Sequence, residues 1–160
     1  MTPFKIGFGF DVHALKENHP FILGGIQIEH TQGAFGHSDA DVLIHTICDA
    51  LLGAANLGDI GTHFPDTDQK YKGIDSKILL KDVVKLIREN GFAIGNIDST
   101  VCLQKPKIKP YIPEMKACLA KVMGLNESQV SIKATTTEKL GYVGREEGVS
   151  AYAVVLIYEN

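Results

Sequence analysis

Residues 149–158 alternate Val149, Ala151, Ala153, Val155 and Ile157 with Ser150, Tyr152, Val154, Leu156 and Tyr158. Successive side chains of a strand point to opposite faces, so a strand with one wet face alternates apolar and polar residues. Here both sets are largely apolar, which predicts burial on both sides. The chain's own helices supply one cover. An oligomer is a simple source of the second.

The remaining segments read as follows. Residues 4–10 and 21–29 predict strands, the second with a bulge or bend at Gly24-Gly25. A helix is expected from about Ser38 through Ala55, with Asp41 as an acid in its first turn and Gly58-Asp59-Ile60-Gly61 as its end. Residues 62–73 read as a polar loop. Ser76 caps a second expected helix, in which Ile78, Leu79, Val83, Leu86 and Ile87 recur at helical spacing up to Asn90-Gly91. Then follow a strand over 94–103, a stiff basic loop over 105–110, a helix over 113–123 ending at Gly124, and a strand over 130–134. The order β-β-α-α-β-α-β-β predicts an α+β, two-layer sandwich with helices on one face of a mixed sheet. One domain over 1–160 is expected, since 160 residues with 44% hydrophobic and 22% charged composition suit a single core.

The net charge of -3 gives no basic field for nucleic acid or acidic membranes. No run approaches ~18 apolar residues, and the start Met1-Thr2-Pro3-Phe4-Lys5 lacks a signal-peptide apolar stretch, so a cytoplasmic protein is expected. Three widely spaced cysteines, Cys48, Cys102 and Cys118, argue against a disulfide framework or a four-thiolate zinc site.

Asp11 and His13 lie two apart in Gly9-Phe10-Asp11-Val12-His13 and share a face of an extended strand. His45, on the predicted helix, offers a third ligand. Two histidines and one carboxylate form a catalytic zinc set with a position left for substrate or water. Asp41 and Asp49 lie four residues either side of His45, so one of them is expected to hold its second ring nitrogen. Each histidine taken singly also reads as an ordinary hydrogen-bonded side chain.

After the 130–134 strand comes Ala134-Thr135-Thr136-Thr137-Glu138-Lys139-Leu140-Gly141. Three hydroxyls with backbone N–H groups can hold phosphate oxygens. Glu138 beside them suits a magnesium ion, and Arg145 supplies a planar cation. The bland alternative is a Thr-rich turn with solvated charges. Lys105-Pro106-Lys107-Ile108-Lys109 is either a solvated turn or a stiff loop offering backbone groups to a base edge. Phe64-Pro65-Asp66-Thr67-Asp68 is either a polar loop or a flap over substrate hydroxyls. Asp59 has the position to accept from a ribose diol. No nucleophile stands out.

In this order the segments Gly9–His13, Gly36-His37-Ser38-Asp39, the stretch 49–55, Leu57-Gly58-Asp59-Ile60-Gly61, the 64–68 loop, the 134–141 loop and Gly144-Arg145 resemble the 2-C-methyl-D-erythritol 2,4-cyclodiphosphate synthases. The resemblance spans nearly the whole chain. It implies a homotrimer with sheets packed about the threefold axis and active sites between adjacent subunits. It implies zinc, or another divalent ion, at Asp11, His13 and His45. Magnesium or manganese held through Glu138 would bridge the substrate diphosphate. It implies an intramolecular cyclisation that releases CMP, in which the substrate supplies both attacking and leaving groups.

By position, the resemblance gives His37 and Thr136 the role of stabilising the transition state. Ser38 and the loop of Phe64, Pro65, Asp66, Thr67 and Asp68 would surround the methylerythritol phosphate, and Asp59, Ile60 and Gly61 the ribose. Leu103, Gln104, Lys105, Pro106, Lys107, Ile108 and Lys109, with Ala134, would form the cytosine pocket. Thr135 and Arg145 would assist at the phosphates, and Val12, Thr137 and Tyr142 complete the substrate contacts. Tyr142 stands where Phe is expected. Tyr152 replaces an acid that shapes an axial cavity for isoprenoid diphosphates in some members, so that cavity is not implied here.

Two other readings compete. A zinc phosphohydrolase would activate water at the open metal position, with Asp49 or His37 as base. A metal-stabilised trimeric module without turnover would leave the Thr-rich and Asp59 loops without a role.

Overall fold

The computed structural model describes residues 3–160. The expectations of one domain over 1–160 and of a start without a leader reach into residues 1 and 2, which lie outside the described residues. The elements in chain order are β1 (Phe4–Glu17), β2 (Phe21–Leu23), β3 (Ile26–Ile28), β4 (Gln32–Phe35), α1 (Val42–Ala54), α2 (Ile60–His63), α3 (Ser76–Glu89), β5 (Phe92–Cys102), α4 (Ile112–Met123), β6 (Val130–Thr135), α5 (Gly141–Gly144) and β7 (Gly148–Glu159). The main sheet has the order β4-β1-β7-β5-β6. Only β5 and β6 pair in parallel, so the sheet is mixed. The fold is α+β, as the element order predicts.

β7 occupies the centre, which accounts for its two apolar sets. Val149, Ala151, Ala153, Val155 and Ile157 are buried under the helices. The opposite face is bare in the single chain: Tyr152 and Val154 of β7, with Ile6, Phe8, Phe10 and Val12 of β1, are exposed. Phe10 and Tyr152 stack with ring centroids 5.1 Å apart. In β5 a register shift between Ile94 and Asn96 inserts one extra residue, so Ile94 and Ile97 both reach the core.

α1 is the helix nearest the sheet, lying across β1 and β7, with α3 packed beside it and α4 over β6. Its apolar face, including Leu43, Ile44, Ile47, Leu51 and Leu52, is fully buried.

Several boundaries differ from expectation. β1 runs seven residues further than residue 10, because β4 and β7 both pair with its C-terminal half. Gly24-Gly25 is a two-residue hairpin turn between β2 and β3, not a bulge within one strand. Both glycines have positive φ, 59° and 79°, the combination this tight turn requires. Asp41 is the N-cap of α1 rather than an acid in its first turn, and Asp75, not Ser76, caps α3. Asp59 does not end α1; it caps the short helix α2. Strand β4 and helix α5 were not expected. Each is only four residues long, too short for a period to show.

Candidate metal centre and active site

The odd-numbered face of β1 turns towards α1, so Asp11 and His13 project into the seam between them, where His45 of α1 meets them. Asp11 Oδ2 lies 3.0 Å from His13 Nε2 and 3.2 Å from His45 Nδ1. The two ring nitrogens are 3.2 Å apart. Ligands about 2.0–2.1 Å from a tetrahedral zinc stand about 3.3 Å from one another, so this triangle has the size such an ion needs. Burial pushes the Asp11 carboxyl up, but the hydrogen bonds and charges of His13 and His45 outweigh it. They hold Asp11 well below the usual carboxylate range.

Neither expected carboxylate holds the second nitrogen of His45. Asp41 is fully buried and accepts from the backbone N–H groups of Ile44, Gly24 and Gly25. Asp49 accepts from Ile60 N at 2.9 Å, and burial pushes its pKa up. Instead His45 Nε2 lies 2.8 Å from Ser76 Oγ and 3.1 Å from Ser38 Oγ.

A cleft of about 470 Å³ opens beside the triangle, lined by His13, Gly36, His37, Ser38, His45, Ile60, Gly61, Phe64, Pro65, Asp66, Tyr71 and Leu79. Tyr71 and Leu79 had no sequence signal beyond a polar loop and a helical stripe. His37 Nε2 hydrogen-bonds the Asp68 carbonyl at 3.1 Å, so the 64–68 loop rests against the cleft. Asp59 shares a second, adjoining cleft with Asp11, His45, Asp49, Ile60 and Gly61. Its Oδ1 takes both the N–H and the hydroxyl of Thr62, which lowers its pKa.

A separate groove gathers Leu103, Gln104, Pro106, Lys107, Ile108, Lys109, Ala134, Thr135 and Thr136. The loops meet where Lys139 N donates to Gln104 Oε1. The register places Asp11, Ala151, Val101 and Ala134 on one cross-strand row. Three strand spacings, roughly 14 Å, therefore separate the metal triangle from this groove. The two share no lining residue.

The three threonine hydroxyls are not all free. Thr137 donates to the Leu140 carbonyl, Thr136 Oγ1 accepts from Glu138 N, and Thr135 donates to the Thr136 carbonyl. Glu138 is exposed in the left-handed region at φ 53°. Arg145 pairs in two-pronged fashion with Glu147, at 3.0 and 3.2 Å. Lys105 Nζ lies 3.4 Å from Glu146, Tyr142 is exposed beside Gly148, and Val12 points to the bare face.

An α+β fold with a mixed sheet and a two-His, one-carboxylate set at an open cleft has the form of a metal-dependent enzyme. The model of the YgbB family matches residues 4–158, and the chain belongs to that family. It is 65% identical over 153 residues to the 2-C-methyl-D-erythritol 2,4-cyclodiphosphate synthase of Parabacteroides distasonis, covering 96% of this chain and 95% of that protein. The synthase of the same name from Bacteroides thetaiotaomicron is 63% identical over 156 residues, 98% of each chain. Among solved structures, the bifunctional IspDF from Campylobacter jejuni superposes with a TM-score of 0.95 at 46% identity, over 98% of this chain and 42% of that longer one. The CDP complex of Plasmodium falciparum IspF gives a TM-score of 0.87 at 34% identity, over 100% of this chain and 99% of that one.

Proposed function

We infer that this chain is a lyase, a cyclodiphosphate synthase. It cyclises 4-diphosphocytidyl-2-C-methyl-D-erythritol 2-phosphate to 2-C-methyl-D-erythritol 2,4-cyclodiphosphate and releases CMP. An oxygen of the 2-phosphate forms a bond to the β-phosphorus, and the bond from that phosphorus to the bridging oxygen breaks, so CMP leaves with the bridging oxygen. The observation that carries this reading is the Asp11–His13–His45 triangle at the head of a cleft, in a chain of this family.

Asp11, His13 and His45 would hold zinc or another divalent ion, which supplies Lewis acidity towards phosphoryl oxygens. Glu138 offers one carboxylate, and magnesium or manganese commonly needs only one or two beside substrate phosphates. His37 and Thr136 donate to oxygens on which charge develops. Ser38 and the loop from Phe64 to Asp68 close over the methylerythritol phosphate and exclude water. Asp59, with Ile60 and Gly61, takes the ribose. The groove of Leu103 to Lys109, with Ala134 and Thr135, reads cytosine mainly through backbone groups.

The protein is a homotrimer in this reading, packed through the bare face of the sheet. The contiguous exposed apolar residues on β1 and β7 support this reading. The distance between metal triangle and base groove supports sites shared between neighbouring subunits. The three free thiols suit a reducing cytoplasm, and no helix among the described residues is long and apolar enough to cross a membrane.

Phosphorus NMR of the purified protein with zinc, magnesium and substrate tests the reaction. Cyclic diphosphate with stoichiometric CMP is expected. Inorganic phosphate instead would make the protein a zinc phosphohydrolase, and unchanged substrate with metal bound would overturn turnover altogether.

A further inference from the structure

We propose that Asp49 is a positioning residue: its carboxylate moors the Asp59–Gly61 loop to α1 and so fixes where that loop can hold a ribose diol. The proposal rests on the reading of Asp59, with Ile60 and Gly61, as the ribose site.

α1 presents His45 and Asp49 on one face, four residues and about 6 Å apart along the helix axis. His45 completes the metal-sized triangle, and Asp49 Oδ1 accepts from Ile60 N at 2.9 Å. The apolar side of the same helix is fully buried against the sheet. One rigid element therefore carries a corner of the triangle and the anchor of the neighbouring loop.

The loop has little else to hold it. Gly58, Asp59, Gly61 and Thr62 are exposed, and Ile60 between them is partly buried. Its other hydrogen bonds are local. Asp59 Oδ1 takes the N–H and the hydroxyl of Thr62, and His63 Nε2 donates to the Leu57 carbonyl at 2.8 Å. Among the described residues, the Asp49 bond is the one hydrogen bond that ties residues 58–63 to α1. The local bonds make the loop a unit, and the mooring decides where that unit stands.

That position matters to a nucleoside diphosphate. Asp49, Asp59, Ile60 and Gly61 line one cleft together with Asp11 and His45. Thr62 takes one oxygen of Asp59, and the other, Oδ2, remains for a diol. Ribose and diphosphate are joined by a short 5′ bridge. A ligand whose phosphates meet the triangle reaches Asp59 only while loop and triangle keep a fixed separation.

The test uses the full zinc-loaded chain and two probes, CDP and 2′,3′-dideoxy-CDP, which differ only in the diol. Titration calorimetry gives the ratio of their dissociation constants. The wild type is expected to bind CDP at least about tenfold tighter, through hydrogen bonds to a charged group. Asp59→Ala should erase that preference. A wild type without it, or an Asp59→Ala that keeps it, would make the ribose reading itself fail. Asp49→Ala should bring the ratio close to one while zinc stoichiometry and affinity for dideoxy-CDP hold. Asp49→Asn, which retains an acceptor for Ile60 N, should keep the ratio. A preference that survives in Asp49→Ala overturns the mooring. So does a loss in Asp49→Asn as complete as in Asp49→Ala, because the carboxylate would then act on the ribose directly. Where Asp49→Ala does not fold, Ile60→Pro removes the N–H from the other side, at a first helical position where proline is tolerated. It should lose the preference while Ile60→Ala keeps it; a preference kept in Ile60→Pro, or lost equally in Ile60→Ala, overturns the proposal.

Discussion

Gly9 of β1 packs against the Thr46 carbonyl of α1 so closely that a β-carbon at Gly9 would collide with that oxygen. Gly7 stands in the same relation to the Ala50 carbonyl, one turn further along α1. These two contacts let the helix backbone settle onto the strand, which brings His45 within ligand distance of Asp11 and His13. Gly9→Ala should push α1 away. We expect a loss of about 1–3 kcal/mol in urea unfolding, with weaker zinc binding as well. Unaltered affinity would mean that the helix seat does not set the triangle.

Asp41 joins α1 to the β2–β3 hairpin by accepting N–H groups of Ile44, Gly24 and Gly25 at 3.0, 3.0 and 2.7 Å. Asp41→Ala removes a helix cap and leaves these donors without their acceptor. A cost of about 3 kcal/mol is expected. Equilibrium unfolding in urea checks it, and a shift under about 1 kcal/mol would show that water replaces the carboxylate.

In the metal-free protein, burial lowers the His13 pKa, but the hydrogen bond and charge of Asp11 outweigh it and leave the value above the ordinary 6.5. A raised folded-state pKa means that protonation stabilises the fold. That contribution is complete below the unfolded value of about 6.5 and disappears as pH rises through the folded one. Zinc needs the neutral ring, so affinity should run the other way and increase over the same interval. Melting temperatures of chelator-treated wild type and Asp11→Asn across this range test the sign. Parallel curves would count against it.

Glu138→Gln should weaken the response of turnover to magnesium more than the response to zinc. Titrating each metal against CMP release measures the difference. Equal responses would remove Glu138 from the second ion.

Phe8 projects from the bare face of the sheet and is 63% exposed. Phe8→Glu should dissociate the proposed trimer in sedimentation equilibrium. CMP release should fall with it, while zinc binding by each chain persists. A trimer that survives the charge would place the interface elsewhere.

The metal triangle was legible because strand period puts Asp11 and His13 on one face and His45 lies on a strongly apolar helix. The central position of β7 was legible from its two apolar sets. The partner of His45 was not. Helical spacing pointed to Asp41 and Asp49, but backbone N–H groups claim both carboxylates. Ser76 lies 31 residues from His45, and a lone serine at a helix start has no signature of this role. Gly24-Gly25 fits a bulge or a hairpin equally well in sequence. The hairpin prevails because Asp41 receives both glycine N–H groups.

β1 carries its chemistry and its exposed apolar surface on alternate residues. Positions 7 and 9 meet α1, positions 11 and 13 meet His45, and positions 6, 8, 10 and 12 lie on the bare face. With Gly7 and Gly9 held against α1, deleting or inserting a single residue between Gly9 and Asp11 would turn Asp11 and His13 away from His45, while Phe8 kept its place on the bare face. Length variation in this strand is therefore admissible only in steps of two. The metal-sized triangle and the bare apolar face share one reading frame along the backbone.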